Sequence, residues 1–205
     1  MEAFTRFKAI AVPVDIANCD TDQIIPARFL RLMPEDGPYA HVLFHDLRYD
    51  AEGNERPDFI LNRAPYRDGR IIVADVNWGC GSSRENAVYA LASNAIRAVI
   101  APSFGDIHYN NCMKHGVLPV RLPREVCDAL RAWLHQNPGA QIDIDLDAQQ
   151  VHTPDGRAHA FEIDAFDKYR MLNGLDDIGV TLSYDAEFDG FESRHRQAFD
   201  WLPVG

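Results

Sequence analysis

RIIVADVNWGCGSSRENAVYALASNAIRAVIAPS, residues 70 to 103, decides the fold. Arg70 to Trp78 is an apolar run rich in β-branched residues, with the length of a buried strand. Gly79 to Ser83 is a tight loop, Arg84 to Asn94 has helical spacing, and Ala95 to Ser103 reads as another strand. This strand, helix, strand rhythm with short connections predicts an α/β fold. Working outward, Phe7 to Val14 is an N-terminal strand leading into a polar loop, Ile16 to Pro26, where Asn18, Asp20, Thr21 and Asp22 are potential caps or ligands. A short helical pattern covers Tyr39 to Leu47, and the turn formers of residues 50 to 69 predict a surface segment. Downstream come a helix at Gly105 to His115, a strand at Val117 to Leu122, and a helix from Pro123 to Gln136 stopped by Asn137, Pro138 and Gly139. The period then switches to two: Gln141 to Thr153, the turn Pro154, Asp155, Gly156, and Arg157 to Asp164 predict a hairpin. The tail predicts a short helix ending at Asn173 and Gly174, a turn at Asp176 to Gly179, and a final polar helical stretch. With no repeat or low-complexity segment, residues 1–205 are expected to form one domain.

The chain has 205 residues, and 31 acidic against 20 basic ones give a formal charge of −11. Such a balance repels phosphate backbones and anionic lipid, so neither nucleic acid nor a membrane surface is an expected partner. No stretch approaches the roughly 20 apolar residues of a membrane helix, and the start has no signal-peptide pattern, which predicts a cytoplasmic protein. Cys19, Cys80, Cys112 and Cys127 contain no C-x-x-C pair, so neither a zinc ribbon nor a self-contained iron–sulfur ligand set is visible, and no metal site is expected in this chain.

The chemistry concentrates at Gly79 to Asn86, where a strand hands over to a helix. Two glycines permit a tight backbone, and free amides at the positive end of a helix favour an anion. Ser82, Ser83 and Arg84 at the mouth suit a carboxylate, which a guanidinium grips bidentately. Ser82 with Glu85 equally fits a capping box, worth about 1 kcal/mol without any catalysis. A third glycine is missing where Arg84 stands, Gly-Lys-Ser is absent, and neither serine has a glycine two residues on. Those absences remove the dinucleotide fingerprint, the Walker loop and the nucleophile elbow. Elsewhere, Asp20 and Asp22 could cap or orient a basic group, and Arg28 and Arg31 could meet an acidic substrate or lie solvated. Asn110, Asn111 and Cys112 read as a polar helix flank with a buried thiol. His41 with His45, and Cys112 with His115, have metal-ligand spacing but no further ligands nearby.

Taken together, DTDQIIPARFL (20–30), GCGSSREN (79–86), VIAPSFGDIHYNNCMKHGVLP (99–119) and LNGLDDIGVTL (172–182) resemble the small subunits of bacterial 3-isopropylmalate dehydratase, also called isopropylmalate isomerase. The resemblance runs from the first strand nearly to the end of the chain. It implies a swivelling β/β/α domain of the aconitase superfamily, here with a C-terminal β-hairpin and helical tail. It also implies a separate large subunit carrying a [4Fe-4S] cluster, with no cofactor in this chain. By the same resemblance Ser82 is the general base, Ser83 and Arg84 hold a substrate carboxylate, Asp22 helps order the site, and Arg31 lies in a stretch that varies with substrate. The implied reaction is the isomerisation of 2-isopropylmalate to 3-isopropylmalate by dehydration and rehydration in leucine biosynthesis. Where the family usually continues His, Ala, Pro, Trp, this chain has Asn86, Ala87, Val88 and Tyr89. That departure keeps open a related hydroxy-dicarboxylate dehydratase of methylmalate/citraconate or homoaconitate type. A non-catalytic carboxylate-binding protein of the same fold is the alternative from another class.

Overall fold

In the computed structural model, which describes residues 1–37, 39–199 and 201, the β-branched runs pair into one mixed sheet of seven strands among the described residues. The strands are β1 (Arg6–Val14), β2 (Ile71–Ala74), β3 (Ala98–Ala101), β4 (Leu118–Arg121), β5 (Gln141–Asp145), β6 (Gln150–His152) and β7 (Ala158–Ala160), in the order β4-β3-β2-β1-β5-β6-β7. β1 to β4 are parallel, with Val12 opposite Ile72, Ile72 opposite Val99 and Ile100 opposite Val120. β5 to β7 run antiparallel, with Ile144 between Phe7 and Val151.

Parallel neighbours require crossovers, and helices supply them. The crossover from β1 to β2 holds two single-turn helices, α1 (Thr21–Ile24) and α2 (His45–Arg48), and several 3-10 turns. α3 (Asn86–Ser93) joins β2 to β3, α4 (Asp106–Lys114) joins β3 to β4, and α5 (Arg124–Gln136) leads to β5. After β7 come α6 (Ala165–Asn173), α7 (Asp177–Leu182) and α8 (Asp185–Ala198). Successive strand residues point to opposite faces, so two cores form. Val12, Ile72 and Val99 face Trp78, Phe44 and the buried side of α3, whereas Ile71, Val73 and Ile100 face Cys127, Leu130 and Leu134 of α5.

Four expectations change, the first of them in the tail, where Asp176 caps α7 (Asp177–Leu182) instead of opening a turn that ends at Gly179. The segment 50–69 is not wholly superficial: Leu61, Asn62 and Tyr66 are buried, and the Tyr66 hydroxyl donates to the Leu134 carbonyl at 2.6 Å. The apolar spacing Phe59, Leu61, Tyr66 inside a turn-rich composition explains why it packs inward. The helical pattern at Tyr39 to Leu47 breaks at Phe44, which sits at φ 51°, leaving a 3-10 turn over Tyr39–Val42 and then α2. The predicted hairpin is a three-stranded meander, because Leu146 to Gln149 form a turn of their own. Asp145 Oδ1 accepts from the Ala148 amide at 2.8 Å, and Gln149 takes φ 52°. A side-chain-capped turn without Gly or Pro leaves little mark on the sequence pattern.

Candidate active site

β1, β2 and β3 end on the same side of the sheet, and the loops that leave their carboxyl ends are braided together, the usual place for a ligand crevice in an open α/β sheet. The Asn18 amide donates to the Val76 carbonyl at 2.9 Å, Gly79 to Cys19 at 2.7 Å and Thr21 to Cys80 at 3.0 Å. The third loop joins through Trp78 N to Ser103 O at 3.0 Å and Gly105 N to Trp78 O at 2.8 Å. Asn18 and Asn77, at φ 52° and 61°, adopt the left-handed conformation that asparagine tolerates, and their side chains bond each other at 2.9 Å. Gly79, at φ 70°, has no room for a side chain: a Cβ would lie 2.2 Å from the His108 ring. Gly105 is as confined, its would-be Cβ being 2.5 Å from the Gly79 carbonyl oxygen.

Behind the braid, Arg131 of α5 ties the strand exits to the helix. Its guanidinium donates to Asp15 at 2.9 Å, to Asp128 at 2.8 Å and to the Ala74 carbonyl at 2.9 Å, and lies 3.2 Å from Asp75. Asp15 follows β1 and Asp75 follows β2, so one buried cation fixes the start of both site loops. His108, on the first turn of α4, is buried with neither ring nitrogen hydrogen-bonded among the described residues, and burial lowers its pKa to about 4. Sequence reasoning missed both residues. The only sign of Arg131 was a charge on the apolar side of α5, three residues after Asp128.

On this fixed backbone stand the predicted side chains. Thr21 is buried and its hydroxyl donates to the Ser82 carbonyl at 2.7 Å, which holds the serine by its main chain. Ser82 and Ser83 are exposed, and their hydroxyls make no hydrogen bond among the described residues. Arg84 is largely covered, and its Nη1 pairs with Asp22, while Nε and Nη2 have no partner among the described residues. Asp20 caps α1 reciprocally: its carboxylate accepts from the Gln23 amide at 2.7 Å, and the Gln23 side chain accepts from the Asp20 amide at 3.0 Å.

The alternative capping box at Ser82 and Glu85 does not form. α3 starts at Asn86, the residue before it makes no side-chain cap, and Glu85 instead meets His115 Nε2 at 2.6 Å. Among the described residues the amides of Ser82 to Asn86 have no backbone acceptor, so the loop presents free donors as well as two free hydroxyls. Arg31 is not brought in by any contact; it stands exposed without ion pair or hydrogen bond among the described residues, whereas Arg28 pairs with Asp46. Asn86 reaches the Tyr39 hydroxyl at 3.4 Å and Val88 is buried in the core, so the departures from the family pattern are absorbed by packing behind the loop.

The thiols do not suit a metal cluster. Cys19, Cys112 and Cys127 are buried, and burial raises the pKa of each, that of Cys127 to about 12. Among the described residues no group of three His, Cys, Asp or Glu side chains is placed to hold an ion. His41 and His45 pack edge-on against Phe29, with His45 Nδ1 3.2 Å from the His41 carbonyl oxygen. Among the described residues no helix is long and apolar enough to cross a membrane.

The class of protein follows from these loops and this sheet together with the family comparison: the family model for the aconitase C-terminal domain matches residues 1–125, and a second, LeuD_N, matches residues 128–165. The crystal structure of 3-isopropylmalate dehydratase (leuD) from Methanocaldococcus jannaschii superimposes with a TM-score of 0.62 at 26% identity, covering 93% of this chain and 99% of that one. The 3-isopropylmalate dehydratase small subunit of Gluconobacter oxydans is 49% identical over 203 residues, 99% of this chain and 96% of the relative. That of Gluconacetobacter diazotrophicus is 50% identical over 201 residues, 98% and 97% of the two chains. The chain belongs to the 3-isopropylmalate dehydratase small-subunit family, an aconitase-type α/β domain followed by a helical tail.

Proposed function

We propose that this chain, as one swivel domain over residues 1–205, is the small subunit of a cytoplasmic 3-isopropylmalate dehydratase, inactive alone. With its large subunit it interconverts 2-isopropylmalate and 3-isopropylmalate through a dehydrated intermediate, in leucine biosynthesis. Near-full-length identity of about half to small subunits of that name supports the substrate. The observation that carries the site is Ser82: its main chain is bonded through Thr21, yet its hydroxyl is exposed and unused by any cap.

Ser82 Oγ takes the proton from the carbon next to the one that loses hydroxide, and returns it on rehydration. A serine hydroxyl is a poor base, and the free amides of the loop together with the Arg84 guanidinium favour its anionic form. Arg84 keeps one nitrogen on Asp22, which sets its plane and leaves the Nε and Nη2 edge for a bidentate grip on a substrate carboxylate. Ser83 donates to the same carboxylate. Arg31, a cation without a partner among the described residues, keeps the substrate-binding role that the family resemblance implies for the stretch that varies with substrate. The [4Fe-4S] cluster of the enzyme belongs to the large subunit, and no residue of this chain acts through it.

Ser82→Ala in the assembled enzyme tests the reading. The expected result is a fall in kcat by roughly 10² to 10⁴, the range for a general acid–base group, with an unchanged melting curve. Near-normal kcat removes the catalytic role.

A further inference from the structure

Among the described residues, the stretch Ser82 to Glu85 is tied to other elements by three side chains. Two of them, Thr21 on the Ser82 carbonyl and Asp22 on the Arg84 guanidinium, belong to the single turn α1. The third is His115, at the end of α4. A carboxylate only accepts, so its Nε2 donates to Glu85, at 2.6 Å. That bond is the one that registers the stretch against α4, and the next residue, Asn86, reaches only the Tyr39 hydroxyl, at 3.4 Å. His115 is itself held in place. Its amide donates to the Asn111 and Cys112 carbonyls at 3.3 and 3.2 Å, Cys112 is fully buried, and its ring meets Tyr89 edge-on with centroids 4.8 Å apart. Tyr89 stands one turn beyond Glu85, and its amide donates to the Glu85 carbonyl at 3.2 Å. The imidazole therefore lies against one face of α3 and takes the carboxylate at the head of that face.

We infer that Glu85 and His115 are a positioning pair for the substrate carboxylate, an inference that rests on the proposed role of Arg84 as the carboxylate grip. Arg84 is held at its tip by Asp22, and through its neighbour Glu85 by α4. Its carbonyl accepts from the Ala87 amide at 3.2 Å, so its main chain follows the first turn of α3. Without His115 that turn loses its register on α4, and a freed carboxylate lies one residue from the guanidinium that grips the substrate. A second negative charge there competes with the substrate's own. Both effects weaken the grip. Neither reaches Ser82, whose main chain stays on Thr21.

The test is steady-state kinetics on 2-isopropylmalate with the chain assembled with its large subunit, comparing wild type, His115→Ala, His115→Gln, Lys114→Ala and Arg84→Lys. His115→Ala is expected to raise KM about tenfold and to leave kcat within about twofold, the pattern of lost binding common to ground and transition states. His115→Gln, whose side-chain amide donates from the same place, is expected to return KM to within about threefold of wild type. Lys114→Ala removes the neighbouring pair with Asp177, 3.3 Å apart and comparably exposed, and is expected to leave KM unchanged. The Tm of the free chain is expected to move little in each histidine and lysine variant, since half-exposed ion pairs add little stability. Wild-type KM in His115→Ala, beside a raised KM in Arg84→Lys, overturns the positioning pair and leaves the grip standing. So does a Lys114→Ala that raises KM as much as His115→Ala, or a His115→Gln that rescues nothing. Wild-type KM in Arg84→Lys removes the grip and the pair together.

Discussion

The parallel and antiparallel halves of the sheet end in turns of opposite character. In the β6–β7 turn, the Thr153 hydroxyl donates to Asp155 at 2.5 Å, the Arg157 amide donates to the same carboxylate at 3.2 Å, and the Thr153 amide donates to the Arg157 carbonyl at 2.9 Å. Those bonds hold the Asp155 carboxyl below its ordinary pKa, the Thr153 hydroxyl contributing most. The turn uses its polar groups on itself. The loops after β1 and β2 are fixed just as firmly by main-chain bonds, by Thr21 and by the Arg131 hub, but Ser82, Ser83 and half of the Arg84 fork remain free. Rigidity is common to both halves; polar groups left over at a rigid place occur at one, and these are the groups able to meet a ligand.

Glycine at positive φ gives the most forceful way to break the comparison. Gly79 at φ 70° and Gly156 at φ 83° have similar backbones but different surroundings: a Cβ at Gly79 collides with His108, whereas nothing lies within 4 Å at Gly156. Gly79→Ala is expected to cost about 3 to 4 kcal/mol, the left-handed penalty plus overpacking against a helix. Gly156→Ala should cost about 1 to 2 kcal/mol, the conformational penalty alone. Urea unfolding of both variants measures the gap, and equal losses mean that the braided loop yields as easily as the hairpin turn.

His108 sharpens the same point from beneath the loop. Its folded pKa is about 4, against 6.5 for an ordinary histidine, because burial penalises the charged ring. Between those values the unfolded chain binds a proton that the folded chain does not. The stability this neutral ring contributes is therefore complete above pH 6.5 and lost as the pH falls toward 4, by roughly 3 kcal/mol. His108→Phe keeps a ring over Gly79 and removes two buried nitrogens without partners among the described residues, so it should be neutral or stabilising at pH 7 and should lose that part of the acid sensitivity. Unfolding free energies of the two proteins at pH 7, 5.5 and 4 give the difference directly. Parallel pH profiles mean that the ring is accessible to protons in the fold.

The sequence carried the parallel half well. The run Ile71 to Ala74, the two loop glycines and the helical spacing after them are local signals, and each reports one strand, one turn or one helix. Ser82, Ser83, Arg84 and Asp22 were legible as candidates because their residue types are unusual beside glycines and caps; the role of each came from family resemblance. What local pattern could not show is who meets whom across the chain. Glu85 sits at capping distance from Ser82 in sequence but turns to His115, thirty residues on, which delays the start of α3 to Asn86. His108 looks like any histidine on a helix until Gly79 is laid against it. Arg31 shares a stretch with the Asp22 loop, yet no contact among the described residues draws it toward Arg84. The turn at Leu146 to Gln149 escaped because one aspartate side chain makes it without a glycine or proline.

The smallest effect separates the two capping candidates. Asp20 and Ser82 each precede a helix with Gln or Glu three residues later, so in sequence they are equivalent. In the structure only Asp20 has the reciprocal bonds, to the amide and side chain of Gln23, and it lies at the root of the braid beside Cys80. Asp20→Ala is expected to cost about 1 kcal/mol, the usual loss for a cap. Ser82→Ala should change stability by less than about 0.5 kcal/mol, as for a surface side chain with no partner to lose. Thermal melts of the free chain, without large subunit or substrate, isolate this difference from catalysis. A loss of a full kcal/mol at Ser82 means that its hydroxyl serves a helix after all, and it then competes with any role as base; a silent Ser82 beside a costly Asp20 leaves that hydroxyl to the substrate.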